Sequence, residues 1–470
     1  MRGLIGWLAI TMMFSSALSC ATSQSEKLRW QKQQDAWVWI DETPAAELEQ
    51  EALPELDEQA TLDHYLAYAA LNNPGLEAAF SRWKAALEKI PQVTALPDPR
   101  FTYAYYIQEV ETRAGPQHQS FSLAQTFPWF GKLELRGDAA TEAARAEKER
   151  YEAAKLKLFF QVKDAYYEYY YLSQAIAVVQ ENLDLVQYLE SVARTRYASA
   201  IAMYADVVRA QVELGKLEDQ LRTLQDLREP IVAKLNAAMN RPPNAPLPWP
   251  QTIEQPPASF TEDELLLWLK EYNPDLRAVE FLAAREKWNI DLAKKSYFPD
   301  FTFGLLGIDT SQALNPATPD SGKDAIIATV SINVPVWWNK YRAEVREAQS
   351  RYNGFLNERI DLENRLTADL KLVGYRYRDA ERKIDLYRDA LVPKAIQSLE
   401  VTLRSYEAGE GTFLDLIDSE RALLEFQLAF ERAFADRAQR LAELEMLLGR
   451  KIPRAAALEN DRVPSEPLPD

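Results

Sequence analysis

Residues 406–424 read YEAGEGTFLDLIDSERALL. A helical pattern ends near Ser405, and Gly409 and Gly411 break it because glycine accepts backbone angles that other residues avoid. Thr412 is placed to cap a second helix, beginning near Leu414, by accepting a bond from an orphan amide. Asp415 and Asp418 are three residues apart and share a face of that helix's first turns. Alone, the stretch reads as a helical hairpin whose acidic groups favour the positive helix start. A second copy changes its meaning. Residues 197–215, YASAIAMYADVVRAQVELG, align with it without gaps: Tyr197 matches Tyr406, Asp206 matches Asp415, and Arg209 stands where Asp418 stands. An internal repeat has to be settled before any fold is assigned.

The repeat extends outward. TLDHYLAYAALNNP at 61–74 aligns with TEDELLLWLKEYNP at 261–274. Thr261 and Glu264 form a capping box, whereas Thr61 is expected to keep only the cap because His64 replaces the glutamate. Asn73-Pro74 and Asn273-Pro274 end these short helices, since a residue before proline avoids the helical region. Amphipathic helices follow over 75–93 and 275–296, stopped by Pro97, Pro99 and Pro299. The period then changes to two. Phe101, Tyr103, Tyr105 and Ile107 alternate with small or polar residues, as do Phe121, Leu123 and Phe127, then Phe301, Phe303 and Leu305, then Val330, Ile332 and Val334. This predicts four strands, about 101–108, 120–127, 301–307 and 328–334, in two hairpins with loops at 108–119 and 307–325.

Four strands cannot close a membrane barrel, which needs about eight. Either the hairpins pack on a helical core or several chains pool them; the aromatics and a length near a thin bilayer crossing favour pooling. Each hairpin leads into a proline and a basic turn, Pro128-Trp129-Phe130-Gly131-Lys132 and Pro335-Val336-Trp337-Trp338-Asn339-Lys340. Trp129, Trp337 and Trp338 suit a membrane interface. Helices then run over 132–196, roughly 100 Å at about 1.5 Å per residue, and over 340–405, interrupted by Gly354, Gly374 and Pro393. Return helices cover 206–240 and 414–449, each about half a rod. Helices this long suit a coiled-coil rod or a tunnel wall. The fold class is mainly α with a small β part and two internal repeats.

Composition narrows the function. Among 470 residues, 54 basic against 71 acidic give a net charge of −17, which argues against a nucleic-acid partner. Residues 1–19 have the layout of a signal peptide, and Cys20, the only cysteine, follows Ala17-Leu18-Ser19 in a way that resembles the lipobox of bacterial lipoproteins. Residues 20–60 are expected to be a lipidated amino-terminal leader, 61–250 and 251–452 the two repeats, and 453–470 a tail. His64 and His118 are the two histidines, read as ordinary surface groups in a short helix and a hairpin loop. No phosphate loop or metal-ligand spacing occurs, so no catalytic residue, metal site or cofactor is expected and the chain is not read as an enzyme.

This constellation resembles the TolC-type outer-membrane efflux protein family, over about residues 60–452 as two copies. TFPWFGKLELRGDAA, 126–140, looks like the strand-to-helix junction of its heavy-metal resistance branch. The resemblance implies a homotrimer pooling twelve strands into one transmembrane β-barrel above a long coiled-coil-like α-helical barrel. It implies a passive duct in outer-membrane lipid, fed by a periplasmic adaptor (membrane fusion) protein and an inner-membrane pump of the resistance-nodulation-division type. Metal cations or small toxic compounds would be the cargo. Asp415, Asp418, Asp206 and Arg209 would lie at the periplasmic gate, with Gly409 and Gly411 as the tip hinge. Copy one has Ala200 and Ala202 in place of those glycines, so the two tips need not move alike. The alternative is a periplasmic coiled-coil scaffold lipoprotein without a pore, which leaves the alternating hairpins unexplained.

Overall fold

The computed structural model describes residues 56–250, 258–315 and 317–454. The signal peptide, Cys20 with the leader to residue 55, and the tail from 455 lie outside the described residues. The element order within them is α1 (Leu62–Asn72), α2 (Pro74–Thr94), β1 (Arg100–Thr112), β2 (Gly115–Phe127), α3 (Lys132–Ala198), α4 (Tyr204–Asp226) and α5 (Arg228–Ala238). The second half follows as α6 (Glu262–Tyr272), α7 (Pro274–Lys295), β3 (Phe301–Thr310), β4 (Ala325–Ile332), α8 (Trp338–Leu386), α9 (Val392–Ala408) and α10 (Phe413–Leu448).

The two repeats pack alike. In the first, Tyr65, Ala69 and Leu76 meet Val162, Ala165 and Tyr169 of α3, Val232 and Leu235 of α5, and Met239 just past its end. In the second, Leu265, Leu269 and Leu276 meet Leu370, Val373 and Tyr377 of α8 and Leu441, Leu444 and Leu448 of α10. Each position matches its counterpart in the aligned copy, so the repeat is one of packing as well as of pattern. Fully burying such a side chain stabilises by about 1.5–3 kcal/mol.

The asparagines before the prolines do more than end a helix. Asn73 and Asn273 accept from the amides of Leu76 and Leu276, capping α2 and α7. Their amide nitrogens also donate to the carbonyls of Ala238 and Leu447, at 2.9 and 2.8 Å, tying each helix corner to the end of a return helix. His64 is not an idle replacement either. Its Nδ1 accepts from the Thr61 amide at 3.2 Å, the reciprocal bond expected only of Glu264.

The four strands form one antiparallel sheet in the order β1-β2-β3-β4. Strands β1, β2 and β3 outrun the expected bounds, whereas β4 begins earlier than expected and stops at Ile332, leaving Val334 outside it. The β1–β2 ladder reaches Thr112↔Gly115, so the first loop is a turn at 113–114, and a bulge between Tyr105 and Val110 absorbs the register change. His118 therefore lies in β2, not in a loop, bonded to Ser311 Oγ at 2.7 Å. Phe101, Tyr103, Tyr105 and Ile107 are exposed, as are Val330 and Ile332. Among the described residues, β1 and β4 each have one unpaired edge.

The helices break at Pro393 as expected, and depart from expectation at two glycines and at Pro230. Helix α3 runs unbroken for 67 residues, but the partner rod breaks elsewhere than at its glycines. Gly354 and Gly374 lie inside the continuous α8, because about 1 kcal/mol against alanine does not break a packed helix. The interruption is a wide turn at Tyr387–Leu391, where the Val392 amide reaches back five residues to Tyr387 O. Pro393 explains it: its ring would strike the carbonyl four residues earlier, and the wide turn moves that carbonyl aside. The first return helix is likewise two helices, parted at Leu227. Pro230 has no amide for the Asp226 carbonyl.

Candidate functional site

The ends of α3 and α9 turn into α4 and α10 by one backbone design. Glu410 and Gly411 donate to Ser405 O at 2.9 and 3.0 Å, and Gly409 to Tyr406 O at 3.0 Å. In copy one, Ile201 and Ala202 donate to Arg196 O at 2.9 and 3.2 Å, and Ala200 to Tyr197 O at 2.9 Å. Gly409 has φ 83° and Ala200 φ 56°. The alanine thus holds the same left-handed conformation as the glycine, at a steric cost of about 1–2 kcal/mol. Ala200→Gly is expected to stabilise the protein by about 0.5–1 kcal/mol, a gain trimmed by glycine's greater unfolded-state freedom. A thermal melt checks the sign; a lower midpoint refutes the strain.

The aspartates have local partners. Thr412 accepts from the Asp415 amide at 3.2 Å and donates its hydroxyl to Asp415 Oδ2 at 2.6 Å. Asp418 is exposed and meets Arg421 Nη1 at 3.3 Å. Asp206 is buried and holds Arg209 at 3.2 Å. Arg209 is therefore paired within its own helix. Beside them Arg421 joins the repeats: its Nη2 donates to Glu213 Oε2 of α4 at 2.5 Å.

Below the turns, both repeats share one core. Leu189 and Ala193 of α3, Val207 and Ala210 of α4, Ala395 and Leu399 of α9, and Leu416 and Ile417 of α10 surround Tyr406 and Phe413. The Arg196 guanidinium lies 4.9 Å over the Tyr406 ring, and its Nη1 donates to Glu407 O at 2.6 Å. Burial, then the Asp206 carboxylate, push the Tyr406 phenol up.

Glu420 was missed in the sequence reading. It is fully buried, and neither carboxylate oxygen has a hydrogen-bond partner. Burial first, then Glu213, push it up to about 7 despite Arg421. Glu213 is opposite: burial disfavours its charge, but hydrogen bonds from Arg421 and Lys216 outweigh that and lower it. A signal for Glu420 did exist. It stands among Leu416, Ile417, Leu423 and Leu424, at the spacing of a buried helix stripe.

At the other end, Trp129 is half-buried in a ring stack with Phe298 at 5.1 Å and Phe301 at 5.6 Å. Trp337 and Trp338 are exposed. Between them lies a junction sequence reading did not find: buried Lys132 donates to Phe298 O at 2.9 Å and to Asp300 Oδ1 at 2.7 Å, and that oxygen also accepts from the Trp129 amide. Among the described residues no group of three or more His, Cys, Asp or Glu could hold a metal ion, and no helix is long and apolar enough to cross a membrane.

The family described as outer membrane efflux protein matches residues 66–241 and 268–450. The cobalt-zinc-cadmium resistance protein CzcC of Cupriavidus metallidurans is 20% identical over 398 residues, 83% of this chain and 90% of that one. Outer membrane protein OprJ of Pseudomonas aeruginosa is 25% identical over 331 residues, covering 68% of this chain and 67% of its own. Among solved structures, the outer membrane protein VceC of Vibrio cholerae superposes with a TM-score of 0.68 at 20% identity, over 83% of this chain and 97% of that one.

Proposed function

We propose that this chain, which belongs to the outer membrane efflux protein family and is the outer-membrane channel component of a tripartite efflux system, works as a passive homotrimeric duct for metal cations or small toxic compounds. The observation that carries the reading is the sheet. Four strands with an open edge on either side, exposing Phe101, Tyr105 and Ile107, need neighbours, and three copies supply the twelve strands of a closed barrel. The adaptor is a periplasmic membrane fusion protein and the pump is of the resistance-nodulation-division type. Cys20, acylated, tethers the leader to outer-membrane lipid. Trp337 and Trp338, and Trp129 by its ring stack, mark the interface level. A metal cargo is favoured by likeness to a cobalt-zinc-cadmium resistance protein; growth of a deletion strain on metals and on drugs chooses the cargo.

The periplasmic gate is the ring of helix ends, with Gly409 and Gly411 as its hinge. In a trimer, Asp415 and Asp418 form stacked rings of three carboxylates, with Asp206 and Arg209 on the neighbouring hairpins. Arg421 neutralises part of the Asp418 charge, which leaves Asp415 the stronger ring. Such rings attract cations into the entrance. Replacing both aspartates with asparagine is expected to weaken cation selectivity and multivalent-cation block in planar bilayers severalfold. Unchanged selectivity with only about 1 kcal/mol of lost stability would reduce both residues to helix-start groups.

A further inference from the structure

We propose that Glu420 is a proton-operated latch between the two repeats: neutral, it lets α10 close on α4, and ionised, it pushes the two helices apart. Its carboxyl is fully buried with both oxygens unpartnered. Across the contact, Glu213 of α4 is also buried and is committed to Arg421 at 2.5 Å and to Lys216 at 3.2 Å. Arg421 is thereby engaged by Glu213 and Asp418, and neither of its bonds goes to Glu420. Two buried carboxylates, of which only Glu213 is bonded to cations, cannot both ionise without cost.

The other elements packed on this stretch leave Glu420 uncompensated. From α3, Glu190 is held by Arg194 and Gln211. From α9, Lys394 is exposed and Glu400 is paired with Arg404. Further toward the turn on α4, Asp206 and Arg209 pair with each other. The charged groups that act on Glu420 are Glu213, which disfavours its ionisation, and Arg421, which favours it.

The sign follows from linkage. Closed, Glu420 is held at about 7, above the ordinary value of 4.5 it regains when the contact opens and water reaches it. Closure is therefore fully stabilised below about 4.5 and loses that support as pH rises through about 7. Between pH 5 and 8.5 the opening constant should rise on the order of fifty- to a hundredfold. The latch lies below the turns that carry Asp415 and Asp418, so its consequence at a pore rests on the channel reading, while its own movement does not.

Amide hydrogen exchange on the purified full chain in detergent reads it directly. After correction for the intrinsic pH dependence of exchange, wild-type amides over 413–424 and 204–217 should open at least about tenfold more readily at pH 8.5 than at pH 5. Glu420→Gln should abolish this difference. Glu420→Met guards against a poorly tolerated buried amide and should stay closed at every pH. A flat wild-type profile, or the same pH slope in both variants, overturns the latch. Conductance in planar bilayers with a flat exchange profile rejects the latch alone; a pH-dependent profile without conductance rejects the channel reading alone.

Discussion

Lys132→Ala is expected to destabilise the folded chain by about 2–3 kcal/mol. Removing one partner of a buried pair costs about 3–5 kcal/mol, and the partial exposure of the Asp300 side chain, 28% against 8% for Lys132, lowers the figure. The truncation takes a donor from Phe298 O and the cation from an oxygen that also accepts the Trp129 amide. Local physics points the other way. Lys132 opens α3, where a positive charge opposes the helix dipole, so losing it would stabilise an isolated helix by a few tenths of a kcal/mol. The sign of the change in urea midpoint thus separates the two. Lys132→Met with Asp300→Asn should recover part of the loss, since removing both charges is far cheaper than orphaning one, and the asparagine oxygen can still accept from the Trp129 amide. A midpoint unchanged in Lys132→Ala would mean that the junction carries no energy. Because the pair ties the start of α3 to the segment entering β3, the same variant should yield less detergent-resistant trimer.

Asn273→Ala should cost about 2–3 kcal/mol. The side chain is 2% exposed, caps α7 through the Leu276 amide, and holds the Leu447 carbonyl. An N-cap is worth about 1 kcal/mol, and a buried carbonyl left without its donor adds about 1–3 kcal/mol. Asn273→Asp separates the two parts: the carboxylate still caps, but it offers no donor to Leu447 O. If the aspartate variant melts with wild type, the cap is everything and the tether to α10 counts for nothing. Asn73→Ala should be milder, because Asn73 is only half-buried.

The sites expected from sequence divide by the reach of their causes. Thr412 caps α10 and Gly409 closes α9 in the left-handed region, as the local pattern dictates. Asp415 and Asp418 fall on the first turns of α10 because spacing puts them there. What they bind was less legible. Arg209, which stands where Asp418 stands in the other copy, is taken by Asp206 three residues away, while Arg421 bridges Asp418 to the other repeat. The conformation of Ala200 could be read only by trusting the alignment to Gly409 over alanine's own preference.

The sequence by itself determined the two-fold repeat, the four alternating strands, the capped and proline-bounded helices, and the acidic turns. Each of these is written in residues at most a few positions apart, at a period of 2 or about 3.6, and is enforced by backbone sterics and nearest-neighbour bonds. Only the tertiary structure decided that Lys132 meets Asp300, that Asn273 holds Leu447, and that Glu420 is sealed beside Glu213. Those partners are 168, 174 and 207 positions apart, and their meeting depends on the register in which long helices pack. A charge's energy depends on how much water that packing removes around it, and no local pattern records that quantity.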